Sequence, residues 1–263
     1  MAAPLEARSV VGDVPRGMRI VFSRKGFDSG SGGGPSPIVD GLNGGFPLSL
    51  PIPAGADSHT SYADLGLGDH ASRASRGRVG SADPCHHDPM FLEDGTCVFG
   101  QVGAAQTHLA NQGVRRGDVF VFFGLFRKEG ETPHHRIFGY LKVDEMVALA
   151  DGVPDDLVAL GHPHALAMHG KNDTIYRGPG RVAQTACDAL RLTVPESPPS
   201  LWNRPRWLKP GGLSYHDRAD RWLPGGRLKS VARGQEFVAD IGRRKAPREW
   251  LARVIDLIDS AYL

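Results

Sequence analysis

Side chains able to hold an anion, a metal ion or a proton are concentrated in four stretches of this 263-residue chain. The first is Ser23-Arg24-Lys25-Gly26-Phe27-Asp28, which runs into Gly30-Ser31-Gly32-Gly33-Gly34 and Pro35-Ser36-Pro37. A strand that ends in Arg24 and Lys25 and opens into glycines can cradle a phosphate with amides and charge together. The same stretch would serve equally as a tight structural turn. Lys25 and Asp28 supply either an acid/base pair or a simple ion pair, and Arg24, Gly32, Gly33, Gly34 and Ser36 are the substrate contacts the loop offers. It is not a Walker loop, because no Gly-Lys-Ser/Thr follows the glycines, and no GxGxxG opens a helix.

The second stretch is Asp83-Pro84-Cys85-His86-His87-Asp88-Pro89, joined by His108 from further along the chain. Imidazole beside carboxylate suits acid/base catalysis or a divalent metal; polar loop groups satisfied by hydrogen bonds are the bland alternative. Adjacent His86 and His87 point in different directions in any regular element, so at most one joins Asp88. The expectation is His87, with His87, Asp88 and His108 converging on Lys25 and Asp28 in a single polar site: an Asp-oriented imidazole as general base, Lys25 holding a negative group. No metal ligand set is assigned.

The third is Gln101, Gln106, His108, Asn111 and Gln112. Planar amides carry one donor and one acceptor face and pair well with nucleobase edges, so Gln101, Gln106 and Asn111 join the candidate binding residues, against a solvated helix face as the plainer reading. The fourth, His162-Pro163-His164, His169, Asn172-Asp173 and Tyr176, can chelate through its two closely spaced histidines, but no third ligand is evident. Arg115-Arg116 and Arg243-Arg244-Lys245 fit solvated surface better than phosphate contacts. Nucleophile-elbow, HExxH and zinc-deaminase signatures are absent from the sequence.

The elements that must position these groups are partly legible. Met18–Ser23 is a short β-branched and aromatic run, a buried first strand. Pro47–Pro53 has too many prolines for more than an edge strand, and 54–90 has no sustained period, a long loop of the functional or disordered kind. Residues 99–112 resemble a short helix stopped by Gly113. Residues 119–126 form a continuous apolar run, a central strand covered on both faces, and 136–143 a second strand antiparallel to it. Asp144 caps a short helix carrying Met146, Val147 and Leu149. Residues 189–194 and 236–240 are further strands, 195–210 an irregular packed loop. Trp250, Leu251, Val254, Ile255, Leu257, Ile258 and Tyr262 recur at helical spacing behind Pro247.

Composition sets the outer limits. Glycine and proline together exceed one residue in five, which favours turns over long helices. A formal charge of +2 gives no global field for a polyanion, so a nucleic-acid site would be local. Three cysteines without CxxC spacing suggest neither a disulfide framework nor a zinc knuckle, and with no secretory or membrane-spanning apolar run the expectation is a cytoplasmic protein without a membrane partner. Residues 1–17 read as a flexible tail or an upstream translation start, and 18–263 as one domain.

Ser23–Ser29 with Gly32–Ile38, Ser49–Pro53, His87-Asp88-Pro89, Phe99-Gly100-Gln101 through His108, Asn111, Gly113 and Gly117-Asp118, and Phe122-Phe123-Gly124 resemble the nucleotide modification associated domain 3 family over about 18–240. Cys85-His86 and the tail lie outside the resemblance. It implies a role in DNA base hypermodification; no cofactor follows from it. The strand pair 118–126 and 136–143 is also similar to the barrel strands of PUA-like modules such as EVE and YTH domains, which hold a flipped modified base. The expected architecture is a single α+β domain with a mixed, partly barrel-like sheet, short helices and a C-terminal amphipathic helix. The expected function is an enzyme acting on a nucleotide, nucleobase or other small polar substrate. The alternatives are a PUA-like module that recognises a modified base without catalysis, and a small-molecule biosynthetic enzyme on the same fold.

Overall fold

A computed structural model of the protein describes residues 17–41, 44–55, 58–167, 169–231 and 236–260; residues 1–16 of the expected tail lie outside them. In chain order, β1 (Met18–Arg24), β2 (Ser36–Val39), β3 (Phe46–Pro47) and β4 (Ile52–Pro53) precede the helix α1 (Gly68–Ser75). β5 (Cys85–His86), β6 (Met90–Phe91) and β7 (Thr96–Gln101) lead into α2 (Gly103–Asn111). β8 (Val119–Lys128), β9 (His134–Lys142) and β10 (Glu145–Ala148) are followed by the short helices α3 (Asp155–Ala159) and α4 (Pro163–Leu166). β11 (Thr174–Val182), β12 (Leu201–Asn203), β13 (Trp222–Leu223), β14 (Arg227–Lys229), β15 (Glu236–Gly242) and α5 (Lys245–Asp259) complete the fold.

The main sheet has ten strands along the path β15-β1-β8-β9-β11-β7-β6, with β2, β3 and β10 attached at the side. It is mixed: β1 runs parallel to β8 and antiparallel to β15. The sheet curls into a half-barrel, giving the single α+β domain expected, with short helices and the C-terminal helix.

Alternation along the strands divides the core into two layers. Ile20 and Phe22 of β1 and Val121 and Phe123 of β8 face a cluster completed by Trp202, Trp207 and α5. Val21, Phe120 and Phe122 face the opposite way, against Phe99, Phe138 and Tyr176. The apolar run of β8 is therefore covered on both faces, as its composition predicts. In α5, Leu251, Val254, Ile255 and Ile258 repeat at i, i+3, i+4 and i+7 and are buried. Each such side chain contributes about 1.5–3 kcal/mol of transfer free energy.

Four expectations are corrected. Residues 99–101 end a strand rather than begin a helix: Cys97, Val98 and Phe99 are buried in β7, and α2 starts only after Val102, with Gly103 at φ +65° marking the break. Glu145–Ala148, expected in a helix behind Asp144, is the strand β10, because β11 offers a free edge in register from Arg177 to Thr174. The unpatterned segment 54–90 contains α1, whose sequence carries only Ala71 and Ala74 as apolar markers, as well as β5. Residues 188–190 form a 3₁₀ turn where a strand is expected.

Candidate functional site

The curl of the sheet creates a cleft of about 520 Å³ at the C-terminal end of β1. Arg24, Lys25, Asp28, Gly30 and Ser31 form one wall, β7 contributes Gly100 and Gln101, and His86, Asp88, His164 and His169 close the far side. A larger groove of about 730 Å³ between β2, α1 and the β8–β9 turn mixes Arg73, Arg127 and Lys128 with Glu129 and Glu131, without a converging set of titratable groups.

Lys25 follows the last residue of β1, and its amide extends the parallel ladder to Phe123 O at 2.9 Å. Glu236 opens β15 directly opposite Ser23. The Lys25 Nζ accordingly donates to Glu236 Oε1 at 2.9 Å and sits 4.3 Å from the centre of the Phe99 ring. The same carboxylate oxygen accepts from Gln101 Nε2 at 2.7 Å and from Ser23 Oγ at 3.2 Å. Glu236 is 1% exposed, a buried charge held by three donors. Its partners lie on β1 and β7, strands separated in the sheet order by β8, β9 and β11, so the contact ties the sheet together across its curl.

On the far side a single carboxylate organises three imidazoles. Asp88 Oδ1 accepts from Gly100 N at 3.0 Å and lies 3.3 Å from His162 Nε2. Asp88 Oδ2 lies 3.8 Å from His86 Nε2 and 3.9 Å from His164 Nε2. Burial alone would raise the Asp88 carboxyl, but the surrounding His162, His86 and His164 imidazoles outweigh it and hold the group well below the usual carboxylate range. The His162 ring accepts the His164 amide at Nδ1, which leaves its Nε2 to carry the proton toward Asp88. His164 Nδ1 meets Asp173 Oδ1 at 2.5 Å, and Asp173 Oδ2 accepts from His169 N at 2.9 Å. The His164 ring is thereby oriented with Nε2 toward Asp88. The donor atoms of His86, Asp88 and His164 lie within 4.8 Å of one another.

Of the residues singled out in the sequence, Arg24, Lys25, Asp28, Asp88 and Gln101 share this cleft. The partner of Lys25 is Glu236 rather than Asp28, whose Oδ1 instead accepts from Gly30 N and Ser31 N at 2.7 and 2.8 Å. Asp28 Oδ2 stands 3.8 Å from Arg24. Gly30 and Ser31 line the cleft but Gly32, Gly33 and Gly34 do not. They allow close packing instead: a Cβ on Gly34 would fall 2.1 Å from Ala74 O of α1, and one on Gly32 would enter the Phe27 ring. Ser36 Oγ accepts from Leu50 N inside the protein.

The expected convergence of His87 and His108 with Lys25 is not what the structure shows. His87 faces an adjoining cavity lined by Phe46, Pro89, Phe91 and Phe138, because successive residues at β5 project to opposite sides and His86 takes the cleft. Burial lowers the pKa of His87. His108 lines a separate surface cleft, where its Nε2 meets Ser214 Oγ at 3.0 Å and its ring stacks on Tyr215 at 4.3 Å. Gln106 is committed to Tyr176 O–H at 2.9 Å, and Asn111 ends α2 on the exposed surface. Burial pushes the Cys85 thiol up to about 12 and Cys97 well above its ordinary range, so neither is a thiolate nucleophile at neutral pH.

Glu236, His86, His162, His164 and Asp173 complete the arrangement without having been assigned to the site from sequence. Two signals were present: a His-x-Asp and a His-Pro-His, whose imidazoles meet at Asp88, and an acidic residue opening the apolar strand Phe237–Ala239. Gly100 holds the two loops in register, since a Cβ there would lie 2.4 Å from His164 Cδ2. Gly100→Ala is expected to displace the His164 ring and destabilise the fold by about 1–3 kcal/mol. Urea unfolding with the histidine ring resonances followed by NMR checks both; an unchanged His164 resonance would show that the ring does not depend on Gly100.

A family model described as nucleotide modification associated domain 3 matches residues 19–240. No curated protein and no solved structure matches the chain.

Proposed function

Since this chain belongs to the nucleotide modification associated domain 3 family, we propose that the cleft between Lys25 and His164 is the active site of an enzyme that modifies a nucleotide or nucleobase, in DNA base hypermodification. The observation that carries this reading is the pairing, in one cleft, of two cations with an imidazole–carboxylate cluster. Arg24 supplies the charge that a phosphate needs, the Lys25 ammonium adds a donor while it stays paired with Glu236, and Gly30 and Ser31 add backbone at the same wall. Gln101 retains one amide hydrogen and one lone pair beyond its bonds to Glu236 and Val102 N, enough for one base or sugar contact. The His86, Asp88 and His164 cluster supplies the chemistry.

No Phe, Tyr or Trp lines the cleft among the described residues, which favours an enzyme over a reader that holds a flipped base between aromatic walls. Its volume is within the range of small-molecule sites.

Calorimetric titration with a panel of deoxynucleoside monophosphates and the matching nucleosides tests the proposal. Monophosphates are expected to bind more tightly than nucleosides, and Arg24→Ala to weaken them about tenfold, the loss of roughly one charge-assisted hydrogen bond, with an unchanged Tm. Equal binding of both ligand sets by wild type and Arg24→Ala would remove the phosphate anchor. Tight binding to polynucleotide that falls steeply with salt, without turnover of any nucleotide, would favour the reader.

A further inference from the structure

We infer that His86, Asp88 and His164 bind one divalent transition-metal ion of the Zn²⁺, Fe²⁺ or Co²⁺ kind, leaving the remaining coordination positions open to the cleft. This names the cofactor class of the site just proposed and rests on that reading for its catalytic purpose, but the ion is measured without any nucleotide.

Three observations support it. The first is spacing. The His86 and His164 Nε2 atoms lie 3.8 and 3.9 Å from Asp88 Oδ2. Four-coordinate ligands at about 2.0–2.1 Å from an ion are about 3.4 Å apart, so these two edges need to close by only about half an ångström, and all three donor atoms already lie within 4.8 Å of one another. These groups come from two loops, β4–β5–β6 and α4, that meet only in the folded chain.

The second is the outer layer. Asp88 presents Oδ2 because Oδ1 is anchored to Gly100 N–H and faces His162. His164 presents Nε2 because Nδ1 is held by Asp173, which is itself held by the His169 amide. Carboxylate behind imidazole, and a backbone amide behind carboxylate, are the supports that fix metal ligands in orientation and tautomer. A hydrogen-bonded cluster that served only the fold would have no need to leave one donor atom of each of these two residues directed at a common point.

The third is charge and ligand type. The side chains of Asp88 and Asp173 are 4% and 0% exposed, and both face imidazoles. A divalent ion neutralises this pair of buried anions. Two imidazoles and one carboxylate select borderline transition metals over Mg²⁺ and Ca²⁺, which take oxygen ligands. Three protein ligands leave room for water or substrate on the metal, as catalytic rather than structural sites do.

The test is titration of chelator-treated full-length protein with Co²⁺, followed in the visible absorption bands of the bound ion. The expected result is one Co²⁺ per chain, abolition of the bands in His86→Ala, and affinity lower by about 10–100-fold in Asp173→Asn, which touches no metal. His108→Ala, in a different cleft, is expected to bind as wild type. Circular dichroism verifies that each variant is folded; should His86→Ala not fold, Asp88→Asn takes its place. Wild-type protein without a stoichiometric Co²⁺ band, or a band that survives unchanged in the ligand variant, overturns the inference. Neither result bears on nucleotide binding by Arg24, so failure here and failure of the proposed function are read separately.

Discussion

Replacing Glu236 with alanine is expected to lower the free energy of unfolding by about 3–5 kcal/mol, the usual cost of stripping a buried ion of its partner. The magnitude follows from what is stranded. The Lys25 side chain is 12% exposed and packed on Phe99, so its ammonium would keep its burial and lose its counter-ion. The amide hydrogen of Gln101 and the hydroxyl of Ser23 would lose their acceptor in the same step. The pair itself is worth far less than its rupture, which gives the measurement its control. Combining Lys25→Met with Glu236→Leu removes both charges and should recover a large part of the loss, so that the double variant is more stable than the sum of the single effects predicts. Urea midpoints of the wild type, the two single variants and the double variant settle the matter. A cost for Glu236→Ala of under about 0.5 kcal/mol, the level of an ordinary surface substitution, would mean that the network does not carry the stability ascribed to it.

Acid should act nearly as strongly. Burial, reinforced by Arg136 and Arg191, lowers the pKa of His134 to about 4, with Asp188 and a bond to Thr132 O opposing. Burial with Arg24 does the same for His135, also to about 4, against the charge of Asp28. In the unfolded chain both titrate near 6.5. Between pH 6.5 and about 4, the unfolded state therefore binds protons that the folded state refuses. Their contribution is fully present above pH 6.5 and is lost as the pH falls through that window, at about 1.4 kcal/mol per pH unit for each histidine as a ceiling. His135 has an identifiable cause: Trp202 Nε1 donates to its Nδ1 at 3.0 Å, and a proton on Nδ1 would break that bond. His135→Gln keeps an acceptor for Trp202 and has no proton to gain, so its stability should fall less steeply on acidification, by at most about 1.4 kcal/mol per pH unit. Urea midpoints between pH 7.5 and 4.5 give the two slopes. A flat wild-type profile would exclude this account.

The parts of the fold legible in the sequence are those in which a single local pattern decides the outcome. β8 is apolar at nearly every position because both faces are covered, and α5 repeats its aliphatics at helical spacing because only one face is. α1 escapes because Gly68–Ser75 packs through small residues, so its sequence carries almost no hydrophobic contrast. Phe99 reads as the start of a helix because an alanine-rich run follows it, and only the pairing of β7 with β11 makes it a strand.

The candidate site divides in the same way. Lys25 stands out because it ends an apolar strand beside glycines. Glu236 does not, because its partner is 211 residues away and nothing local marks the acid as buried. In the His86-His87-Asp88 run, the chemistry is visible but the facing is not, since one residue of register exchanges the cleft for the adjoining cavity. His162 and His164 form a visible imidazole pair whose common partner, Asp88, arrives from a loop more than seventy positions earlier.

The carboxylate that ties β15 to β1 and β7 also has a consequence in time. Its three side-chain bonds span 211, 213 and 135 residues, among the longest loops this chain can close. Closures of that length are entropically late and slow folding. A ribosome making this protein will have emitted all of the cleft's other walls before residue 236 appears, at rates of about 5–20 residues per second. Until then Lys25 lacks this counter-ion, and β1 and β7 lack the side-chain contact that joins them across the curl. The nascent chain can therefore assemble its hydrophobic layers without assembling the completed cleft, which should form in one late step.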